Sequence, residues 1–205
     1  MFPSQFRHRE DTLDIRLAVS RDGAQWTRPD REAAFIPLGQ PANFDGGSLY
    51  MGNGGCLPTG DELSFYFSGS ALKHGEVELE NLADPTKRRV ISRAVARPNR
   101  LVSVTAGVAG GQFNTPSLRF TGDRLILNAT ARPAGSVRIG LLDSEGRSIP
   151  GRSLDECQPL TGDNESWTMK WADRDHVAKW STQPIRLQIE LRDADLFGFQ
   201  FIGKT

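Results

Sequence analysis

An all-β fold in two parts is what the sequence predicts, and three observations predict it. Apolar residues recur with a period of two over short runs, helical periodicity is nearly absent, and 21 glycines and 12 prolines are spread along 205 residues. Alternation marks a half-buried strand, and turn-forming clusters between such runs, at intervals of about 8 to 15 residues, mark the connections. The order of the runs gives a partial propeller-like sheet of one to two blades, then a jelly-roll-like β-sandwich.

The elements follow in order. Over residues 13–20, Leu13, Ile15, Leu17 and Val19 alternate with Asp14, Arg16, Ala18 and Ser20, a half-buried strand. The segment NFDGGSLYMGNGG (43–55) holds a short strand among glycines. Runs at 63–68, 91–95 and 101–105, the last two separated by Pro98 and Asn99, read as a meander. TAGVAGGQFNTP (105–116) then interrupts the rhythm with three glycines, which sets the expected domains at 1–106 and 107–205. The second part has strand runs at 125–129, 137–142, 167–171, 185–191 and 197–201. A turn at Asp143 to Gly146 makes a hairpin, and a short helix is expected at 173–180 with Asp173 or Asp175 as its N-cap. Trp167, Met169 and Trp171 fall on one face of their strand, as core residues do, so they are not read as a sugar platform.

Composition excludes several classes. Lys plus Arg and Asp plus Glu both number 25, so the one-sided positive field that nucleic acid requires is missing. No apolar run approaches the ~20 residues of a membrane helix, and MFPSQFRHRE lacks the apolar segment of a signal peptide, so the chain reads as soluble with no membrane partner. Cys56 and Cys157 lack metal-site spacing and read as two unpaired structural thiols, with no metal and no cofactor expected.

Few residues are placed to do chemistry. In SRDGAQWTRP, Asp22 can accept backbone N–H groups, Gly23 can take positive φ and Trp26 can pack beneath the turn, which makes the stretch a structural lock. Asp45 stands before two glycines, which permit either close approach of a ligand or a tight turn. Glycoside hydrolysis needs two carboxylates, ~5 Å apart for retention or ~6.5 to 9.5 Å for inversion. Asp45 with Glu62 or Asp61 are the available catalytic acids, although Asp61-Glu62 also reads as a hairpin turn. Tyr66 on the polar face of its strand and His74 just past the strand's end are the candidate substrate-binding residues. Asp193 and Asp195 fit a turn as well as they fit calcium. Nucleophile-elbow, zincin and phosphate-loop motifs do not occur.

SRDGAQWTRP resembles the Asp-box of sialidases and other β-propellers, with glycine directly after the aspartate. As a series, IRLAVSRDGAQWTRP, NFDGGSLYMGNGG, ELSFYFSGSALKHG, ISRAVARPNRLVSVTAG, NTPSLRFTGDRLILNATA, SVRIGLLDSEGRSIPG and PIRLQIELRDADLFGFQF resemble the C-terminal portion of bacterial proteins related to glycoside hydrolase family 32. The resemblance covers nearly the whole chain. It implies a five-bladed propeller with an appended sandwich and carbohydrate as the ligand. A full propeller takes roughly 200 to 300 residues, and the family's nucleophile motif and Arg-Asp-Pro motif have no counterpart here. The resemblance therefore implies an incomplete or non-catalytic carbohydrate-associated module, the terminal part of a larger protein. An active glycosidase and a sandwich that associates with further copies through exposed strand edges are the alternatives.

Overall fold

The computed structural model describes residues 1–76 and 89–203 and is all-β. It divides into two compact units, Met1–Pro98 and Asn99–Thr205.

The first unit is one five-stranded sheet in the order β1 (Ser4–Arg7), β2 (Thr12–Ile15), β3 (Ser48–Thr59), β4 (Glu62–Ser70), β5 (Val90–Ala96). Neighbours are antiparallel except β2 and β3, which run parallel where Leu13 meets Ser48. This is a propeller-like sheet of about one blade's size. The β3–β4 hairpin closes at Thr59 and Glu62, with Gly60 supplying the positive φ of 63° that the turn needs. β3 is longer than its glycine-rich sequence predicts, and its register breaks between Met51 and Cys56. Gly52 is required there, because a Cβ would lie 2.8 Å from the Tyr66 carbonyl oxygen of β4. Ile15, Leu49 and Phe65 are fully buried, and the rings of Phe2, Phe35 and Phe65 pack with centroids 5.0 to 5.3 Å apart.

The strand expected at 13–20 departs from its pattern. Regular pairing ends at Ile15, and Val19, expected inward, is exposed. Asp14 and Arg16, on the opposite face, are both buried. The Asp14 carboxylate accepts Arg16 Nε at 2.6 Å and Nη2 at 2.9 Å, and Arg7 of β1 donates to it as well. Arg16 Nη1 also donates to the carbonyls of Arg31 and Glu32, so a covering loop buries the charged face as an ion pair.

In the second unit the sheet order is β6 (Val104–Ala106), β10 (Arg186–Ile202), β8 (Arg124–Leu142), β9 (Gly162–Thr168), and β7 (Gly111–Asn114) joins β10 beside β6. Because Ala106 pairs with Ala194, residues 99–106 belong to this unit, and the division falls at Pro98 ahead of the position expected from the glycine-rich segment. Four expected strands are here two long ones. β8 passes through Arg132, Pro133, Ala134 and Gly135, with Ala134 at φ 70°, opposite a single residue of β10, Asp193, at φ 43°. At Gly135 a Cβ would meet the Asp193 carbonyl oxygen at 2.4 Å, so the break in both strands depends on glycine. Alternate residues of both strands, from Leu125 to Leu141 and from Ile185 to Leu196, supply the core with Met169 and Trp171. Trp171 Nε1 donates to the Ile139 carbonyl at 2.8 Å, which satisfies its one polar atom in that core.

Of two local expectations, one changes and one holds. The helix at 173–180 is a single 3-10 turn, Ala178–Trp180, preceded by Val177 with no side-chain cap, so neither Asp173 nor Asp175 caps it. The Asp143 hairpin forms as read: Asp143 Oδ1 accepts the N–H groups of Glu145 and Arg147, and Gly146 takes φ 83°. Among the described residues no helix is long and apolar enough to cross a membrane.

Candidate functional site

SRDGAQWTRP is a closed turn. Val19 and Thr27 exchange backbone hydrogen bonds at its base, and Gly23 takes φ 72° at its crest. Asp22 Oδ1 accepts Ala24 N–H at 2.9 Å, Gln25 N–H at 2.8 Å and the Ser20 hydroxyl at 2.9 Å. Those bonds, led by the one from Gln25, hold the Asp22 carboxyl below the usual range. Three bonds on one oxygen make the carboxylate a lock on its own turn. Trp26 differs from expectation: its ring is exposed, and it joins the turn by donating Nε1–H to the Gly23 carbonyl at 3.1 Å.

Asp45 and His74 come to the same end of the first sheet. Asp45 lies in the loop entering β3, His74 in the loop leaving β4, and β3 begins where β4 ends, with Ser48 opposite Ser70. The entering loop is tight: Gly39 N–H donates to the Asp45 carbonyl, and a Cβ on Gly39 would fall 2.0 Å from Asp45 Oδ1. This half-buried carboxylate is therefore set against a glycine that cannot be replaced without moving it. The leaving loop is tied down by Asp11 in the β1–β2 turn, whose carbonyl accepts His74 N–H at 2.9 Å and whose Oδ2 accepts Gly75 N–H at 2.9 Å. Asp11 holds φ 56°, in the left-handed region where aspartate is among the more tolerated residues. Phe6 of β1 carries both imidazoles, with His74 at 4.8 Å and His8 at 4.5 Å between ring centroids.

The other two positions lie elsewhere. Asp61 and Glu62 sit in the exposed β3–β4 turn, at the far end of β4 from Asp45. Glu62 and Ser70 bound β4, and its eight steps at ~3.4 Å each separate the two ends by ~27 Å. Tyr66 stands midway along β4, across from Arg93 of β5, with its ring half exposed and facing away from the buried Phe65 and Phe67. The sheet thus gathers Asp45 and His74 and leaves Tyr66, Asp61 and Glu62 out.

The residues missed were Asp11, His8 and Phe6. Their one sequence signal is the acidic and basic HRED turn between two runs too short to stand out as strands. Among the described residues no three His, Cys, Asp or Glu side chains converge as a metal site would require. Both cysteines are free, Cys56 exposed and Cys157 buried. Cys157 Sγ accepts Ile139 N–H at 3.2 Å, and burial pushes its thiol up to about 11. Comparison with protein-family models, with curated proteins and with solved structures finds no match.

Proposed function

We propose that this protein is a carbohydrate-associated module of the glycosidase-like class, one that binds glycans without cleaving them. The reading rests on the series of motifs set out above, and one geometric observation turns it from hydrolysis to binding. Asp45 is separated from Asp61 and Glu62 by the length of β4, several times the ~5 to 9.5 Å that two carboxylates must span across a glycosidic bond. What shares one end of the sheet, Asp45 with His74, suits hydrogen bonds to sugar hydroxyls, and the acid beside His74, Asp11, is taken up by the Gly75 N–H. A panel of nitrophenyl glycosides tests this with wild type and Asp45→Asn. No turnover above buffer is expected from either, while glycan-array binding is expected from wild type. Turnover that disappears in Asp45→Asn would make the protein a hydrolase.

A second reading, association with further copies, has its own observation. β5 ends the sheet order, and Ile91 and Val95 on it are 79% and 50% exposed. Unprotected edges of this kind pair with other chains. Light scattering across a concentration series decides it, and a monomer throughout sets it aside.

A further inference from the structure

The second unit holds a cleft on one face of its sheet. On the outer face of its sheet, β10 and β9 both break register beside the same residue of β8, Asn128. On one side Leu196 opposes Ala129 and Gly198 opposes Asn128, which leaves Phe197 as an inserted residue. On the other, Asn164 opposes Ala129 and Trp167 opposes Leu127, so Glu165 and Ser166 stand against Asn128 alone. Bulges bend strands and re-aim side chains, and they concentrate next to functional sites. Two of them flanking one residue open a concavity of about 480 Å³ lined by Asn128, Glu165, Phe197, Phe199, Gln200 and the backbone of Gly198. That volume falls within the roughly 300 to 1,000 Å³ of small-molecule sites.

A buried arginine fixes its wall. The Arg100 side chain is 6% exposed, and it donates Nε to Asn128 Oδ1 at 2.8 Å and Nη1 to Thr130 Oγ1 at 2.9 Å and Asp163 Oδ1 at 2.6 Å. Its guanidinium also lies 4.7 Å from the centre of the Phe197 ring. Because arginine can only donate, it must face the oxygen of the Asn128 amide, and the Nδ2 group is the edge left over. That group has one long contact, 3.5 Å to the Asn99 carbonyl, and so retains donor capacity. Arg100 acts here as a positioning residue, its charge already matched by Asp163.

We infer that this cleft is a binding site for a neutral sugar ring. The inference rests on the carbohydrate reading and locates it. A pyranose presents C–H bonds on its face and hydroxyls at its rim. Phe197, inserted beside Asn128 and backed by the Arg100 guanidinium, offers an aromatic surface to the former. Asn128 and Gln200 offer amides, donors and acceptors both, to the latter. No lysine or arginine is among the lining residues, so the wall supplies no cation for a phosphate or carboxylate and suits a neutral sugar. Gly198 keeps the floor open: a Cβ there would meet nothing within 4 Å, and its φ lies outside the positive range that side chains avoid.

Calorimetry and saturation-transfer NMR on the full chain, with sucrose, maltose and cellobiose as probes and glucose 6-phosphate as the charged counterpart, test the site. At least one neutral disaccharide binds wild type with Kd on the order of 1 mM, and glucose 6-phosphate binds more weakly. Gly198→Val fills the cleft without backbone strain, and Asn128→Asp keeps the oxygen toward Arg100 while removing the donor; each lowers affinity at least tenfold with an unchanged melting temperature. Should either variant unfold, Gln200→Ala, at an exposed position on the same face, serves in its place with the same expected loss. Disaccharide binding that survives these changes but is lost in Asp45→Ala overturns the cleft and leaves the carbohydrate reading standing. Wild type that binds none of the disaccharides overturns the cleft, and silence on a glycan array as well overturns both.

Discussion

Asp14→Asn is expected to destabilise the first unit by about 4 kcal/mol while leaving the second unit unchanged. The substitution keeps the shape of the side chain and removes only its charge. Arg16 and Asp14 are 3% and 4% exposed, so the change strands a buried cation without its hydrogen-bonded carboxylate, leaving it only the longer-range field of Asp30 among the described residues. Breaking a buried pair from one side costs ~3 to 5 kcal/mol, and two unit charges ~4 Å apart at an effective dielectric of ~20 interact by ~4 kcal/mol, so two routes agree. Arg7 adds little, because its side chain is 45% exposed and such pairs contribute ~1 kcal/mol or less. For a unit of this size, with total stability of ~5 to 15 kcal/mol, the loss is a quarter or more of the whole. Native-state amide exchange on the full chain is the assay, with β2 and β4 amides reporting the first unit and β8 and β10 amides serving as the internal reference. Asp14→Leu combined with Arg16→Met should recover most of the lost protection, since apolar replacement of both partners removes the stranded charge. Protection in β2 and β4 that falls by less than ~1 kcal/mol in Asp14→Asn would refute the reasoning.

Three further outcomes follow from the same geometry. Leu127, fully buried on the core face of β8 beside Asn128, should cost ~2 to 5 kcal/mol when cut to alanine, read as a lower urea midpoint. Cys56 should react with a thiol reagent near pH 8 in the folded protein, whereas Cys157, buried and with its thiol at about 11, should react only on unfolding. Asp22, Asp30 and Asp143 are held below the usual carboxyl range chiefly by backbone N–H groups of Gln25, Ala33 and Arg147. A folded-state value below the unfolded ~3.9 adds stability above that pH and loses it as the pH falls through the folded value. Acid titration should therefore leave unfolding midpoints level down to about pH 5 and lower them below about pH 4, and a midpoint that rises there would contradict the sign.

Strand identity was legible wherever one face of a strand was apolar, as in Leu63, Phe65 and Phe67 of β4 or the alternation in β8 and β10. It failed where the face opposite the core was also buried, because period two cannot reveal that Asp14 and Arg16 neutralise each other under a loop. It failed again where a strand crosses residues that usually end one, since Pro133 to Gly135 read as a turn until the strand partner opposite them is known. The Asp22 lock was readable from local chemistry alone. Asp45 and His74 were named separately, but only the β3–β4 register brings them together, and the same register takes Glu62 away. The cleft depends on two irregularities in two different strands meeting at Asn128. Glycine between phenylalanines in LFGFQF was its one trace, a mark of backbone left open inside a strand.

The most direct measurement is a nitrogen-15 amide shift titration of the full chain with the neutral disaccharide that binds best. Shifts concentrated at Asn128, Gly198 and Gln200, saturating with a Kd on the order of 1 mM, are the predicted result. A spectrum unchanged to saturation of the solvent with sugar, or one in which the disaccharide is cleaved during the titration, would contradict an account built on binding without hydrolysis.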